Sequence, residues 1–203
     1  MRNQANQGQP TMIHYAMNTG VVVGAYYIIK FCLFPLSFVS AFSGMLFIGL
    51  TLMVPYLIFK LVKTYRDRHL GGHIEYFHAF LYAVLIMMFG SLLASVAHYI
   101  YFAYIDGGAM VEALEKSINQ FMAIDLSLLE NTENENAIAQ FNQYIEMMRT
   151  TAIQVRAMTP IDITLGMLSN NLSWSFFVAF FIALFVSKRK RNTSTTTNQT
   201  NNQ

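Results

Sequence analysis

Four long apolar stretches divide the chain, over residues 12–34, 38–59, 77–104 and 163–186. Each is long enough to cross roughly 30 Å of hydrocarbon as a helix, which takes about 20 residues. None alternates with the two-residue period of a membrane β-barrel strand. The fold class expected is therefore an all-α membrane protein with four transmembrane helices. Pro35 falls in the very short link between the first two stretches, which makes them an antiparallel pair. Residues 60–72, closing on Gly71-Gly72, join the second to the third.

Between the third and fourth stretches the periodicity changes. Met110, Val111, Leu114, Ile118, Phe121 and Met122, followed by Leu128 and Leu129, recur at helical spacing. Ile138, Phe141, Ile145, Met148, Ala152 and Val155 continue the rhythm of a second amphipathic helix. The polar run Asn131 to Asn136 breaks the pattern between them, and Thr132 with Glu135 makes a capping box. Thr159, Pro160 and Asp162 form a second start signal, with threonine as N-cap and proline in the first turn. The expectation is an extramembrane antiparallel helical hairpin over 108–158. Its apolar stripes either pack on each other or meet a partner, for which Phe141, Ile145 and Met148 are the candidate contacts. The ends, 1–11 and 191–203, are polar and amide-rich and are expected to be disordered. Residues 12–190 then form one membrane domain.

Composition agrees with this reading, and charge orients it. Mean hydropathy is +0.37 and 12% of residues are charged, against about 25% in soluble domains. Residues 105–158 carry eight carboxylates and three cations, Lys116, Arg149 and Arg156, a net charge of −5. Lys60, Lys63, Arg66 and Arg68, and then Lys188 to Arg191, flank the apolar stretches instead. Positive residues beside spans stay on the cytoplasmic side, so both clusters and both termini are expected inside and 105–158 outside. Four crossings satisfy that pattern, whereas an odd number would separate the two clusters. A cleaved signal peptide fits the first stretch poorly, because only Arg2 precedes it and the apolar run is too long. Cys32 is the sole cysteine and excludes an intrachain disulfide. Nucleic acid is not an expected partner, since the basic clusters abut apolar runs. An acidic hairpin would also be repelled by anionic lipid surfaces.

No residue set reads as a reaction centre. Glu75 and His78 share a helix face, but His73 lies five residues from His78, which is not the zinc-protease spacing. His98 falls in the third stretch beside Tyr99, Tyr101 and Tyr104, which places it at the outer rim among interfacial tyrosines. His14 is placed near the inner rim, and Lys30 a turn from the end of its span, free to snorkel. Pro55 is expected to kink the second span. Gly20 with Gly24, and Ser91 with Ser95, form small-residue faces for close helix packing, and Asn170 with Asn171 can hydrogen-bond between helices. The four stretches contain no Asp or Glu, which disfavours an ion-coupled transporter.

Short motifs add a family resemblance. The span entry Gly71-Gly72-His73-Ile74-Glu75-Tyr76-Phe77-His78-Ala79-Phe80 carries it, as does the exit Tyr99-Ile100-Tyr101-Phe102-Ala103-Tyr104-Ile105-Asp106. With Tyr15-Ala16, Gly20 and Gly24, these resemble bacterial membrane proteins grouped as domain of unknown function 4199, over roughly 13–190. The resemblance implies a four-span inner-membrane protein of a Gram-negative cell, with the hairpin in the periplasm and no catalytic residues to transfer. His73, Glu75 and His78 depart from the pattern expected of that family, which weakens a metal site further.

The function expected is a non-enzymatic interaction or scaffold protein acting through its outer acidic hairpin, with no metal or cofactor. Its partners are the lipid bilayer and a periplasmic or membrane protein. Two alternatives are a small-solute channel or transporter, lined by Ser91, Ser95, Asn170 and Asn171, and a membrane-bound metal site at His73, Glu75 and His78.

Overall fold

The computed structural model describes residues 11–37, 40–129 and 135–188, with side chains described except at 121–129, 135 and 137. Six α-helices account for most of them: α1 Met12–Ser37, α2 Ala41–His69, α3 Tyr76–Ile100, α4 Ala109–Leu129, α5 Glu135–Ala157 and α6 Pro160–Val186. A π-helical segment, Tyr101–Ile105, prolongs α3. Four of these helices are long and apolar enough to cross a membrane: α1, α2, α6, and α3 with its π extension. The expected polar ends and the capping box at Thr132 lie outside the described residues, as does Phe38 at the start of the expected second span.

Helix α3 is the hub, packing against α1 on one side and α6 on the other, while α2 leans mainly on α1. Small residues make the α1–α3 contact close. A Cβ placed on Gly20 would stand 2.6 Å from the Cβ of Phe89, and one on Gly24 would stand 3.1 Å from the carbonyl of Gly90. Reciprocally, a Cβ on Gly90 would stand 2.9 Å from the Cβ of Val23 and 3.1 Å from the nitrogen of Gly24. Lipid tails are as apolar as the helices, so association inside a bilayer depends on this intimate packing rather than on escape from water. The α3–α6 contact also uses small side chains, with Ala79, Ala83, Ala94, Ser175, Ala179 and Ala183 all buried.

Polar ties complement the packing at each level. The hydroxyls of Thr19 and Tyr82 lie 3.0 Å apart, and the Tyr82 ring stacks on Tyr65 with centroids 3.9 Å apart, linking α1, α2 and α3. Tyr26 donates to the Leu50 carbonyl at 2.6 Å. Beyond the apolar part of α2, Arg66 is buried and donates to the Val186 carbonyl at 2.9 Å. That guanidinium satisfies one of the carbonyls left open at the end of α6. Next to it, Ile74 and Lys188 exchange backbone hydrogen bonds of 3.1 and 2.9 Å. Gly71 and Gly72, at φ of 60° and 82°, turn the chain from α2 into this bridge.

Two boundaries differ from expectation. Residues 60–69 continue α2, because Val62, Tyr65 and Arg66 present a face that the bundle buries. Pro35 lies within α1, two residues before its end at Ser37, where the missing N–H costs only the last turn. The faces that remain carry Val21, Ile29, Phe42, Met45, Leu52, Phe177 and Phe185, all exposed. Apolar surface on this scale suits contact with lipid.

The α4–α5 pair stands at the opposite end from Arg66. Gly107 and Gly108, at φ of 54° and 94°, make the turn out of the π segment. The Asp106 carboxylate accepts from the amides of Gly108 and Met110, both at 3.1 Å, capping α4. Thr159 and Asp162 form the reciprocal capping box that starts α6. Phe31, Phe102 and Met110 make a small second core beneath the pair, flanked by Phe34, Tyr101, Val155, Ile163 and Met167.

Replacing Arg66 by Ala removes the bond to Val186 and should lower stability by about 2 kcal/mol, the usual worth of a hydrogen bond to a charged group. Thermal unfolding in a neutral detergent checks this; an unchanged midpoint would mean that the guanidinium does not hold α6.

Candidate functional site

One face of α1 carries Tyr27, Lys30, Phe31 and Phe34, three or four residues apart, and that spacing gathers them on one side of the helix. They line a cavity of about 170 Å³, closed by Phe47 of α2, His98 of α3, and Met167, Asn170 and Asn171 of α6. All four spanning helices thus contribute. The Lys30 ammonium lies over two aromatic faces, 5.3 Å from the centroid of Tyr27 and 5.7 Å from that of Phe47. Such cation–π contacts offset part of the cost of removing an ammonium from water. Among the described residues that line the cavity there is no carboxylate.

His98 is only 5% exposed, and its ring lies 4.1 Å from that of Phe31. Its Nδ1 is buried without a hydrogen-bond partner. Buried polar atoms are normally paired, so an orphan of this kind calls for an explanation. The π segment continues the helix past His98 with Tyr101 and Tyr104, and Phe31 covers the ring, so the histidine expected at the outer rim is buried inside the bundle. Lys30 likewise lies seven residues before the end of α1 at Ser37, about two helical turns deep rather than one.

The other candidates fall in three places. Gly20 and Gly24 lie in the α1–α3 contact. Ser91 is buried and its hydroxyl has no partner, while Ser95 donates to the carbonyl of Leu92 at 2.8 Å. Neither serine lines the cavity that Asn170 and Asn171 line, so the four residues of the expected polar path are not brought together. On α5, Ile145 is buried, and Phe141 and Met148 are partly buried. The exposed apolar side chains of that helix are instead Tyr144, Met147 and Ile153.

At the basic end, His73 is exposed, with Nδ1 3.1 Å from the Gly71 carbonyl, and Glu75 is the exposed N-cap of α3. His78 points elsewhere, its ring centroid 6.3 Å from that of Tyr65. Among the described residues no three His, Cys, Asp or Glu side chains are grouped so as to hold a metal ion.

The cavity can be anticipated only in part from sequence. Positions 27, 30, 31 and 34 share a helical face, which is a legible signal. The meeting of that face with His98 and Asn171 depends on how α3 and α6 pack.

The cavity holds the Lys30 ammonium among rings. Lys30→Met preserves the packing and removes the desolvation cost, so it should stabilise the protein by about 1 kcal/mol in the absence of any anion. A rise in the thermal midpoint in neutral detergent is the expected result; a fall would mean that the aromatic contacts outweigh desolvation.

Comparison with curated proteins and with solved structures found no match. The family model described as "Protein of unknown function (DUF4199)" matches residues 18–188. That match takes in α1 from residue 18, the other three spanning helices and the α4–α5 pair, and the chain therefore belongs to this family.

Proposed function

We propose that this protein is a non-enzymatic interaction protein of the membrane, and that α4 and α5 meet another protein outside the bilayer. The observation that carries the reading is an acidic helix pair, separate from the four spanning helices, that shows apolar side chains. Tyr144, Met147 and Ile153 are 47, 57 and 69% exposed on a helix whose buried stripe is already used against α4. Isolated apolar residues on a surface are ordinary, but here three large ones fall on a single helix.

The way the pair is mounted supports the same reading. Arg156 reaches Glu115 at 3.5 Å, and Val155 packs beside Met110, so the start of α4 lies against the end of α5. Both helices are rooted on the same small core as α1, α3 and α6. A partner's grip on α5 would thus bear on the bundle rather than on a loose loop. The orientation follows from charge: Lys60, Lys63 and Lys188 lie at the far end and favour the cytosol. In this reading Ile145 holds the pair together, and the partner meets Met147 and Ile153.

An Ile153→Cys, Cys32→Ser chain, treated on intact cells with a membrane-impermeant photocrosslinking maleimide, tests both parts. The expected result is labelling followed by a discrete protein adduct on illumination. Absence of labelling under conditions that label a known external cysteine would contradict the orientation. Labelling without an adduct would contradict the partner.

A further inference from the structure

The cavity beneath α4 and α5 has the composition of a binding site for an anion, and this inference stands apart from the proposed partner of α5. Its polar side chains are an ammonium, two amides and an imidazole, set among aromatic rings. The Lys30 ammonium offers three N–H groups, and the rings of Tyr27 and Phe47 turn their faces to it. Asn170 and Asn171 each add an amide, and His98 adds a ring nitrogen that is buried without a partner. In the tautomer with its proton on Nδ1, that nitrogen is a fourth donor. Among the described residues that line it there is no carboxylate, so the Lys30 charge meets no opposite charge on these walls.

We propose that the cavity binds a phosphate-type oxyanion. The volume of about 170 Å³ corresponds to that of roughly five waters, and it accommodates the five heavy atoms of a phosphate group. Charge-assisted bonds from an ammonium to such oxygens are among the strong hydrogen bonds, and they strengthen where water is scarce. The remaining walls, Phe31, Phe34, Phe47 and Met167, suit the glycerol and first methylenes of a lipid. Depth agrees with this: Lys30 is two turns from the end of α1, within reach of a headgroup from the adjoining leaflet. Occupancy would supply the acceptor that His98 lacks.

Phe31, Phe34 and Met167 belong at once to this cavity and to the core that seats α4 and α5. An occupant would therefore press on the residues at the root of the outer pair.

The test uses the full chain in neutral detergent and reads the thermal midpoint. Titrants are dioctanoylphosphatidylglycerol, dioctanoylglycerol with the same tails and no phosphate, and inorganic phosphate. The phosphatidylglycerol should raise the midpoint saturably, and dioctanoylglycerol should not. Lys30→Met should weaken the apparent affinity about tenfold or more, and Lys30→Arg should retain it within about threefold. A response to inorganic phosphate with the same Lys30 dependence supports the site and names the free anion as its source. A response that survives in Lys30→Met, or one that dioctanoylglycerol reproduces, overturns the proposal. A second measurement needs no variant: acetylation of Lys30, followed by peptide mass spectrometry, should be slowed severalfold by the phosphatidylglycerol and not by dioctanoylglycerol. Equal rates would also overturn it.

Discussion

The close contact of α1 with α3, through Gly20, Gly24 and Gly90, is the constraint on which the rest of the bundle depends. Three glycines bring backbone against backbone at distances that admit no Cβ. In a bilayer such contact supplies the dispersion attraction that water would otherwise enforce by exclusion. It also sets the rotation of both helices. With Gly24 against Gly90, Tyr27 and Lys30 are carried to the next turns of the same seam, and His98 arrives opposite Phe31. The cavity exists because the seam opens where glycine and alanine give way to tyrosine, lysine and phenylalanine.

The two ends of the bundle solve opposite electrostatic problems. At the basic end Arg66 is buried but paired, donating to Val186 and to Asp67. Its charge is used to complete the last turn of α6 and to tie α2 to it. At the other end Lys30 has aromatic faces and amides around it but no anion on the walls. Burying a charge is costly unless it is paired, so the second arrangement makes sense as a site and poor sense as a brace. Local disagreement with the rules of stable folding is a mark of functional positions.

Much of this architecture was legible in the residues because the physics involved is local. Apolar length alone gave four spanning helices, and charge segregation separated the acidic α4–α5 pair from the basic end. Thr159, Pro160 and Asp162 announced the start of α6, which has the expected capping box. The short motifs around Gly71–Phe80 and Tyr99–Asp106 pointed to the family. What escaped depends on tertiary contact. Residues 60–69 look like a charged linker until α6 offers Val186 to Arg66. The cover of Phe31 over His98 escaped, as did the π segment beyond it, whose i→i+5 bonding leaves no plain signature in composition. Phe141, Ile145 and Met148 form an inviting stripe, of which Ile145 is buried and the other two are partly buried in a helix that packs against α4. The cavity joins four helices, and no spacing within one helix reveals it.

If the α1–α3 seam governs the fold, the energetic cost of adding a side chain must be confined to it. The most direct measurement compares Gly90→Val with Gly49→Val in the same detergent by thermal unfolding. A Cβ at position 90 would meet the Val23 side chain at 2.7 Å, whereas nothing lies within 4 Å of one at position 49. The Gly90 substitution should destabilise by about 2–3 kcal/mol or prevent assembly, and the Gly49 substitution should leave the midpoint unchanged or slightly raised. Equal midpoints for the two variants would show that α1 and α3 do not approach as closely as described here, and the cavity beside that seam would lose its foundation.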